Sequence, residues 1–244
     1  MGQGGEAALV TGAARRVGRA LALRLAREGY RVALHTSARS LADCAAVAAE
    51  IRDGGGLATV IAADLADADA VSRIVGDAAR ATGPLSLLVN SASLFTPDSA
   101  RDMRAAAFDA HMAVNLRAPC LLAQAFAAQI PPAGGGSIVN IIDQRVWRLN
   151  PLYFSYTLSK SALWTATRTL AQSLAPHVRV NAIGPGPTLA NERQSFADFE
   201  REAAKVPLAR AISPEDIADA MMYLAKAATV TGQMLALDSG QHLA

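Results

Sequence analysis

The feature that most narrows the fold of this chain is an alternation. Short apolar runs, closed by glycine- or proline-rich turns and followed by stretches with helical spacing, recur along its length. The first run, residues 7–10, ends in Thr11-Gly12, and Val17, Leu21 and Leu25 then follow at helical spacing up to Gly29. Residues 31–35 form a second run, and an Ala-rich helix over 41–53 is ended by Gly54-Gly55-Gly56. A third run covers 57–62, a third helix over 68–81 stops at Gly83-Pro84, and a fourth run covers 85–89. The second half continues with a helix over 109–129, a break at residues 131–136, a strand over 137–142 and a long helix over about 155–175. A strand over 178–183, a helix over 214–225 and a last strand over 234–237 complete the pattern. Seven strands alternating with helices predict an α/β chain: a single-domain Rossmann fold over residues 1–244, with a doubly wound parallel seven-stranded sheet and helices on both faces. Residues 189–211, rooted at Gly184-Pro185-Gly186-Pro187, are the least patterned and read equally as a lid over a site or as a surface excursion.

Composition excludes several classes of function. With 244 residues, 52% hydrophobic and 18% charged, the chain can bury a sizeable core, which rules out global disorder. Its 23 basic and 21 acidic residues give a net charge of +2 without a run of like charges, so no nucleic-acid footprint is present. No apolar stretch reaches the ~18 residues of a membrane span. The first residues lack the basic and apolar regions of an export signal and the residue-6 Ser or Thr of a myristoylation signal. The expectation is a soluble, cytoplasmic protein with a small-molecule substrate. Cys44 and Cys120 lie far apart, and His35, His111, His177 and His242 are scattered, so free packed thiols and no metal are expected.

Two segments carry chemistry. The turn from Thr11 to Gly18 lies between a strand and a helix, where backbone N–H groups and the helix dipole can receive a phosphate. A carboxylate near the end of the second strand would accept the ribose hydroxyls of NAD; none occurs from residue 30 to 42, whereas Ser37, Arg39 and Ser40 follow the strand and Arg15 lies in the glycine turn. Arginine's planar fork suits a 2′-phosphate, so the expected cofactor is NADPH, the alternative being that Arg15 and Arg39 are solvated surface charges. Tyr156 and Lys160 stand at i and i+4 near the start of the long helix, and a nearby ammonium would lower the phenol's pKa from about 10 toward a usable acid. A Tyr-x3-Lys pair alone is more often a solvated helix face.

Together these residues resemble the short-chain dehydrogenase/reductase family along essentially the whole chain. Four features match it in order: the Thr11–Gly18 turn, Asn90-Ser91-Ala92 after the fourth strand, Asn115 in the middle helix, and Tyr156 with Lys160. The resemblance implies that Tyr156 donates a proton, that Lys160 holds the nicotinamide ribose, and that Asn115 positions a relay water. It assigns cofactor contacts to Gly12, Arg15, Arg16, Val17 and Gly18 in the turn, and to His35, Ser37, Arg39 and Ser40 at the second strand. Asp64 and Leu65 follow the third strand, Asn90, Ser91 and Ala92 the fourth, and Pro185, Gly186 and Thr188 the sixth. A homo-oligomer, a tetramer by resemblance, is expected through Ala-rich helix faces, with Ala171 and Ala175 permitting close approach.

Two departures sharpen the expectation. Asp143 stands thirteen residues before Tyr156 where most members have Ser, and Arg16 replaces the middle glycine of the turn. Both, together with Leu34-His35, Asn90-Ser91-Ala92-Ser93-Leu94-Phe95 and Lys205-Val206-Pro207-Leu208, resemble the pteridine reductase branch. There a carboxyl near the ring helps protonate a ring nitrogen. On this resemblance Asp143 works with Tyr156, Phe95 stacks on a flat heterocycle, and Ser93 and Arg16 contact the pterin or cofactor. The expected activity is hydride transfer to a pterin-like or dihydrofolate-like ring. The alternatives are a carbonyl or 3-oxoacyl reductase, with Trp147, Leu149 and Tyr153 walling the site, and a non-catalytic NADP-binding sensor, for which a proton relay would be superfluous. Ser91, where the family more often has Asn, departs from the pattern on the cofactor side.

Overall fold

The computed structural model describes residues 5–188, 199–201 and 204–244. Seven strands pair in parallel throughout: β1 (Ala7–Thr11), β2 (Arg31–Thr36), β3 (Ala58–Ala62), β4 (Leu85–Asn90), β5 (Gly136–Ile141), β6 (Val178–Pro185) and β7 (Met234–Leu237). Their order is β3-β2-β1-β4-β5-β6-β7. The order therefore reverses between β1 and β4, which opens a crevice beyond the carboxyl ends of those strands.

Strand residues alternate between two apolar layers, which is why the strands read as continuous hydrophobic runs. Ala8, Val10, Val32, Leu34 and Val89 face the layer formed by α1 (Arg16–Arg27), α2 (Leu41–Asp53) and α7 (Pro214–Lys226), where Leu21, Leu25, Val47, Ile217 and Met221 are buried. Ala7, Leu9, Leu88, Ile138 and Val180 face α3 (Ala68–Thr82), α5 (Ala118–Gln129) and α6 (Phe154–Leu174), meeting Val71, Ile74, Leu122 and Phe126. Each buried Leu or Ile contributes roughly 1.5–3 kcal/mol of apolar burial. Local signals set the helix ends. The Asp67 carboxylate accepts from the Asp69 and Ala70 N–H groups to start α3, and Ser213 and Asp216 form a reciprocal capping box on α7.

The expected helix over 109–129 is different. It begins earlier, as α4 (Ala105–Met112), widens into a π-helical turn over Ala113–Arg117, and resumes as α5. Pro119 has no N–H to donate to the Asn115 carbonyl, so a regular helix fails there, and the wide turn runs up to that point. Ala171 also departs from expectation: it is buried in this chain's own core beneath β6, so it offers no face to a second subunit. Of the segment 189–211, residues 189–198 and 202–203 lie outside the described residues. In the rest, Val206 is buried, the Leu208 N–H donates to the Ser239 carbonyl, and the Ile212 N–H donates to that of Pro187. Both cysteines are unbridged, Cys44 buried and Cys120 half-buried. No helix among the described residues is long and apolar enough to cross a membrane.

Candidate active site

The glycine turn is shaped by close backbone approach. Gly12 has φ +67°, and a Cβ on it would lie 2.8 Å from the Ala92 Cα; one on Gly18 would lie 2.1 Å from the Gly12 carbonyl oxygen. Thr11 joins this turn to the end of β4, its Oγ1 accepting from the N–H groups of Ser91 at 3.0 Å and Ala92 at 3.1 Å. His35 supports it from behind. Its buried ring accepts the Gly12 N–H at Nδ1 (3.4 Å) and lies 3.2 Å from the Ala63 carbonyl at Nε2, which requires the neutral Nε2–H tautomer. Burial pushes the His35 pKa down to about 4.

The other residues expected on the cofactor side are spread over the carboxyl ends of several strands. Exposed and grouped beyond β1 and β2 are Arg15, which pairs with Asp43 at 2.5 Å, Arg16 in left-handed backbone (φ +52°), and Ser37 and Arg39, with half-buried Ser40 closing the same one-turn helix. Asp64 shapes a turn, accepting the Ala66 N–H at 2.9 Å, while Leu65 is buried and Val17 packs against the core. Asn90 is buried and donates to Asn140 at 2.8 Å; Asn140 donates in turn to Thr167, a polar chain from β4 through β5 into α6. Pro185 ends β6, the Gly186 N–H donates to the Leu237 carbonyl, and a Cβ on Gly186 would lie 2.7 Å from the Asp238 Cα. The Thr188 hydroxyl turns back to donate to the Gly186 carbonyl at 3.0 Å.

The expected chemical residues meet at the carboxyl end of β5 and the first turns of α6. The Tyr156 hydroxyl donates to Asp143 Oδ2 at 2.8 Å, and Asp143 Oδ1 accepts the Arg145 N–H at 2.9 Å. The Lys160 ammonium donates to the Ile141 carbonyl at 2.8 Å and lies 5.8 Å from the centre of the Tyr156 ring. Asn115, on the π-helical turn, uses both amide hydrogens, on the Leu94 carbonyl at 2.9 Å and Ser159 Oγ at 3.0 Å, and accepts the Leu94 N–H at Oδ1. It therefore ties the Ser93-Leu94-Phe95 loop to α6.

One expectation is corrected. Lys160 does not bring the tyrosine pKa down: burial, followed by the Asp143 carboxylate, raises Tyr156 well above 10, and Arg145 and a hydrogen bond with Ser93 offset only part of this. Burial also raises the Asp143 carboxyl and lowers Lys160 to about 8. The phenol thus keeps its proton through neutral pH, bonded to a carboxyl that shares its enclosure.

Aromatic rings wall the site. Phe95 stacks on Tyr153 with centroids 4.3 Å apart and planes within 4°, and makes a T-shaped contact with Tyr156, centroids 4.7 Å apart. Trp147 meets Trp164 and His242 edge-on further out. Two contributors went unnoticed in the sequence. Asp98 accepts the Ser155 N–H at 3.0 Å and the Ser155 hydroxyl, capping α6 from the loop that carries Phe95; Arg145 flanks the aromatic stack. Neither stands in a local pattern that announces it.

This arrangement of glycine turn, buried Asn-rich junction and Tyr-Lys helix meets a matching profile in the comparisons. A short-chain dehydrogenase profile described as enoyl-(acyl carrier protein) reductase matches residues 12–242. The chain belongs to the short-chain dehydrogenase/reductase family. Among solved structures of that family, FolM alternative dihydrofolate reductase 1 from Brucella canis, complexed with NADP, is 51% identical with a TM-score of 0.95, over 98% of this chain and 94% of that one. The Brucella suis protein of the same name, also with NADP, gives the same identity and TM-score, covering 99% and 96%. Among curated relatives, 3-oxoacyl-[acyl-carrier-protein] reductase FabG of Staphylococcus aureus is 32% identical over 98% of each chain.

Proposed function

We propose that this short-chain reductase uses NADPH to deliver hydride to a pterin-like or dihydrofolate-like ring. The observation that carries the reading is the 2.8 Å hydrogen bond between Tyr156 and Asp143, a carboxyl placed where a ketone reductase of the family has a hydroxyl. Its support is the 51% identity to FolM proteins crystallised with NADP, against 32–33% for the 3-oxoacyl and ketoacyl reductases.

The residues present fit the cofactor. Any side chain on Gly12 or Gly18 would fill the turn, and no side chain caps the N-terminus of α1, leaving its first N–H groups to a phosphate. Exposed Arg39 and Ser37 beyond β2 suit a 2′-phosphate, with Arg15, Arg16, Val17, Ser40, Asp64, Leu65, Ser91 and Ala92 around them. His35 and Asn90 act from the interior, and Pro185, Gly186 and Thr188 border the nicotinamide side. When bound, the nicotinamide supplies the hydride. Lys160, whose ammonium donates to the Ile141 carbonyl, would hold the ribose, and Asn115, bonded to Ser159, would keep the proton path aligned with α6. Ser93 and Arg16 would border the ring, and Phe95, one face of which carries the Tyr153 ring, would stack on it with the other. Tyr156 and Asp143 hold one acidic hydrogen between them, and because burial raises both acids the pair retains it until a ring nitrogen gains electron density. The same reading includes action as a cytoplasmic homo-oligomer, which sedimentation at equilibrium tests.

The deciding experiment follows NADPH oxidation at 340 nm with dihydrobiopterin and a 3-oxo ester in parallel, for the wild type and Asp143→Ser. Pterin turnover falling about a hundredfold or more in the variant is the expected result. Turnover of the ester alone, retained or improved by the substitution, assigns the chain to the oxoacyl reductases instead.

A further inference from the structure

Tyr153 is held in a backbone conformation that disfavours it. It is the residue before α6, with φ +61° and ψ +45°, the left-handed region that glycine enters freely and a bulky side chain enters at a cost. Starting a helix does not require this. The residue preceding a helix is ordinarily extended, as Asp67 before α3 and Ser213 before α7 are. The hydrogen bonds that start α6 do not use the Tyr153 side chain either: Asp98 accepts the Phe154 N–H on its carbonyl and the Ser155 N–H on its carboxylate. The conformation goes instead with a particular placement of the ring. Tyr153 lies parallel to Phe95, planes within 4° and centroids 4.3 Å apart, with the Arg145 guanidinium carbon 4.8 Å from its centre.

A stack of this kind contributes about as much as the left-handed backbone costs, so stability of the fold alone does not explain a tyrosine here. Its effect falls on Phe95. That residue lies in the loop after β4, where no helix or strand sets its side chain, and it remains 37% exposed. Its neighbours are anchored, Leu94 by Asn115 and Asp98 by Ser155, but its ring plane is set by Tyr153 on one face and by the T-shaped contact with Tyr156. Strain kept at such a place preorganises a binding surface. We propose that Tyr153 is a positioning residue for substrate binding: its ring backs Phe95 and fixes the plane against which a flat heterocycle stacks, without touching that heterocycle itself. The inference rests on the pterin reading. It adds that Phe95 is effective only as half of a pair.

The test measures equilibrium binding of 2-amino-4-oxopteridine to the NADP-saturated protein, with kcat and KM for dihydrobiopterin alongside. Tyr153→Ala is expected to weaken binding about tenfold and to raise KM similarly, while kcat stays within about threefold. Tyr153→Phe, which keeps the ring, is expected to restore binding to within about twofold of the wild type. Tyr153→Gly relieves the backbone but not the loss of the ring, so it is expected to bind as poorly as Tyr153→Ala although its Tm is higher by about 2 °C or more. A merely structural role would move binding and Tm together. In a Phe95→Leu background, Tyr153→Ala is expected to weaken binding less than about twofold further, because the residue it acts through is gone. Unchanged binding in Tyr153→Ala, or losses that add in the double variant, overturns the role of Tyr153 and leaves the pterin reading standing. Tighter binding in Tyr153→Ala, the sign of a ring lying where the substrate belongs, does the same. Failure of the wild type to bind the pteridine, with turnover of the 3-oxo ester, overturns both.

Discussion

At the scale of single residues, the site works by enclosing ionisable groups. Lys160 shows the consequence most directly, because burial lowers its pKa from 10.5 to about 8 while its ammonium bonds to the Ile141 carbonyl. If the charged form holds the ribose, the rate of reduction falls as pH rises through about 8. Lys160→Arg, charged throughout that range, is expected to lose this limb in a pH profile of kcat/KM even where its rate is lower. On the proposed mechanism Tyr156→Phe removes the proton donor, and it is expected to lower kcat about a hundredfold with little change in KM. His35 carries an acid-side counterpart in stability. Its pKa of about 4 lies below the unfolded value near 6.5, so the folded chain resists protonating it. Its contribution is fully present above pH 6.5 and is lost as pH falls through 4, up to roughly 3 kcal/mol. His35→Gln keeps a donor and an acceptor but does not titrate. The difference between wild-type and variant unfolding free energies is therefore expected to change between pH 6.5 and 4 and to be flat above it.

At the scale of elements, α6 is the part whose placement decides the proposed chemistry, since it carries both Tyr156 and Lys160. Its first turn has no cap of its own, Tyr153 there being left-handed at φ +61°, and Asp98 supplies the cap across the loop that holds Phe95. Asp98→Ala is expected to cost roughly 1–2 kcal/mol in denaturant unfolding and to lower kcat, with Asp98→Asn recovering part of both. That cap marks the limit of what was legible in the chain. The seven strands were readable because each alternates into two buried layers and is closed by turn residues, and α3 and α7 because Asp67 and Ser213 cap them locally. Asp143, Tyr156 and Lys160 were readable because their spacing lies within one strand–turn–helix unit. Asp98 and Ser155 are 57 residues apart, and the site position of Arg145 depends on Phe95, 50 residues away, so neither contact leaves a local pattern. The π-helical turn at Asn115 was hidden because apolar periodicity does not distinguish four-residue from five-residue hydrogen bonding. The direction of the Tyr156 shift depended on how deeply the pair is enclosed, which spacing does not encode.

At the scale of the molecule, the residues proposed to act lie at one end of the sheet, where β1, β4, β5 and β6 deliver their last residues. The glycine turn of α1, the Thr11-to-Ala92 junction and the first turns of α6 converge there, so a bound dinucleotide braces segments from both apolar layers rather than a single loop. Binding to the folded state alone raises stability by mass action, about 2.7 kcal/mol at a hundredfold excess over Kd. For a chain of this size that amounts to a rise in Tm of roughly 5–10 °C. The sign of charge beyond β2 decides which dinucleotide does this, because exposed Arg39 and Ser37 stand where a carboxylate would repel a 2′-phosphate. NADP is therefore expected to raise Tm well above the effect of equal NAD. Arg39→Asp is expected to narrow or reverse that difference while leaving the Tm of the ligand-free protein nearly unchanged, since the side chain it removes is exposed. Equal shifts with both dinucleotides in the wild type would place phosphate selectivity outside the β2 turn and remove the charge argument for NADPH.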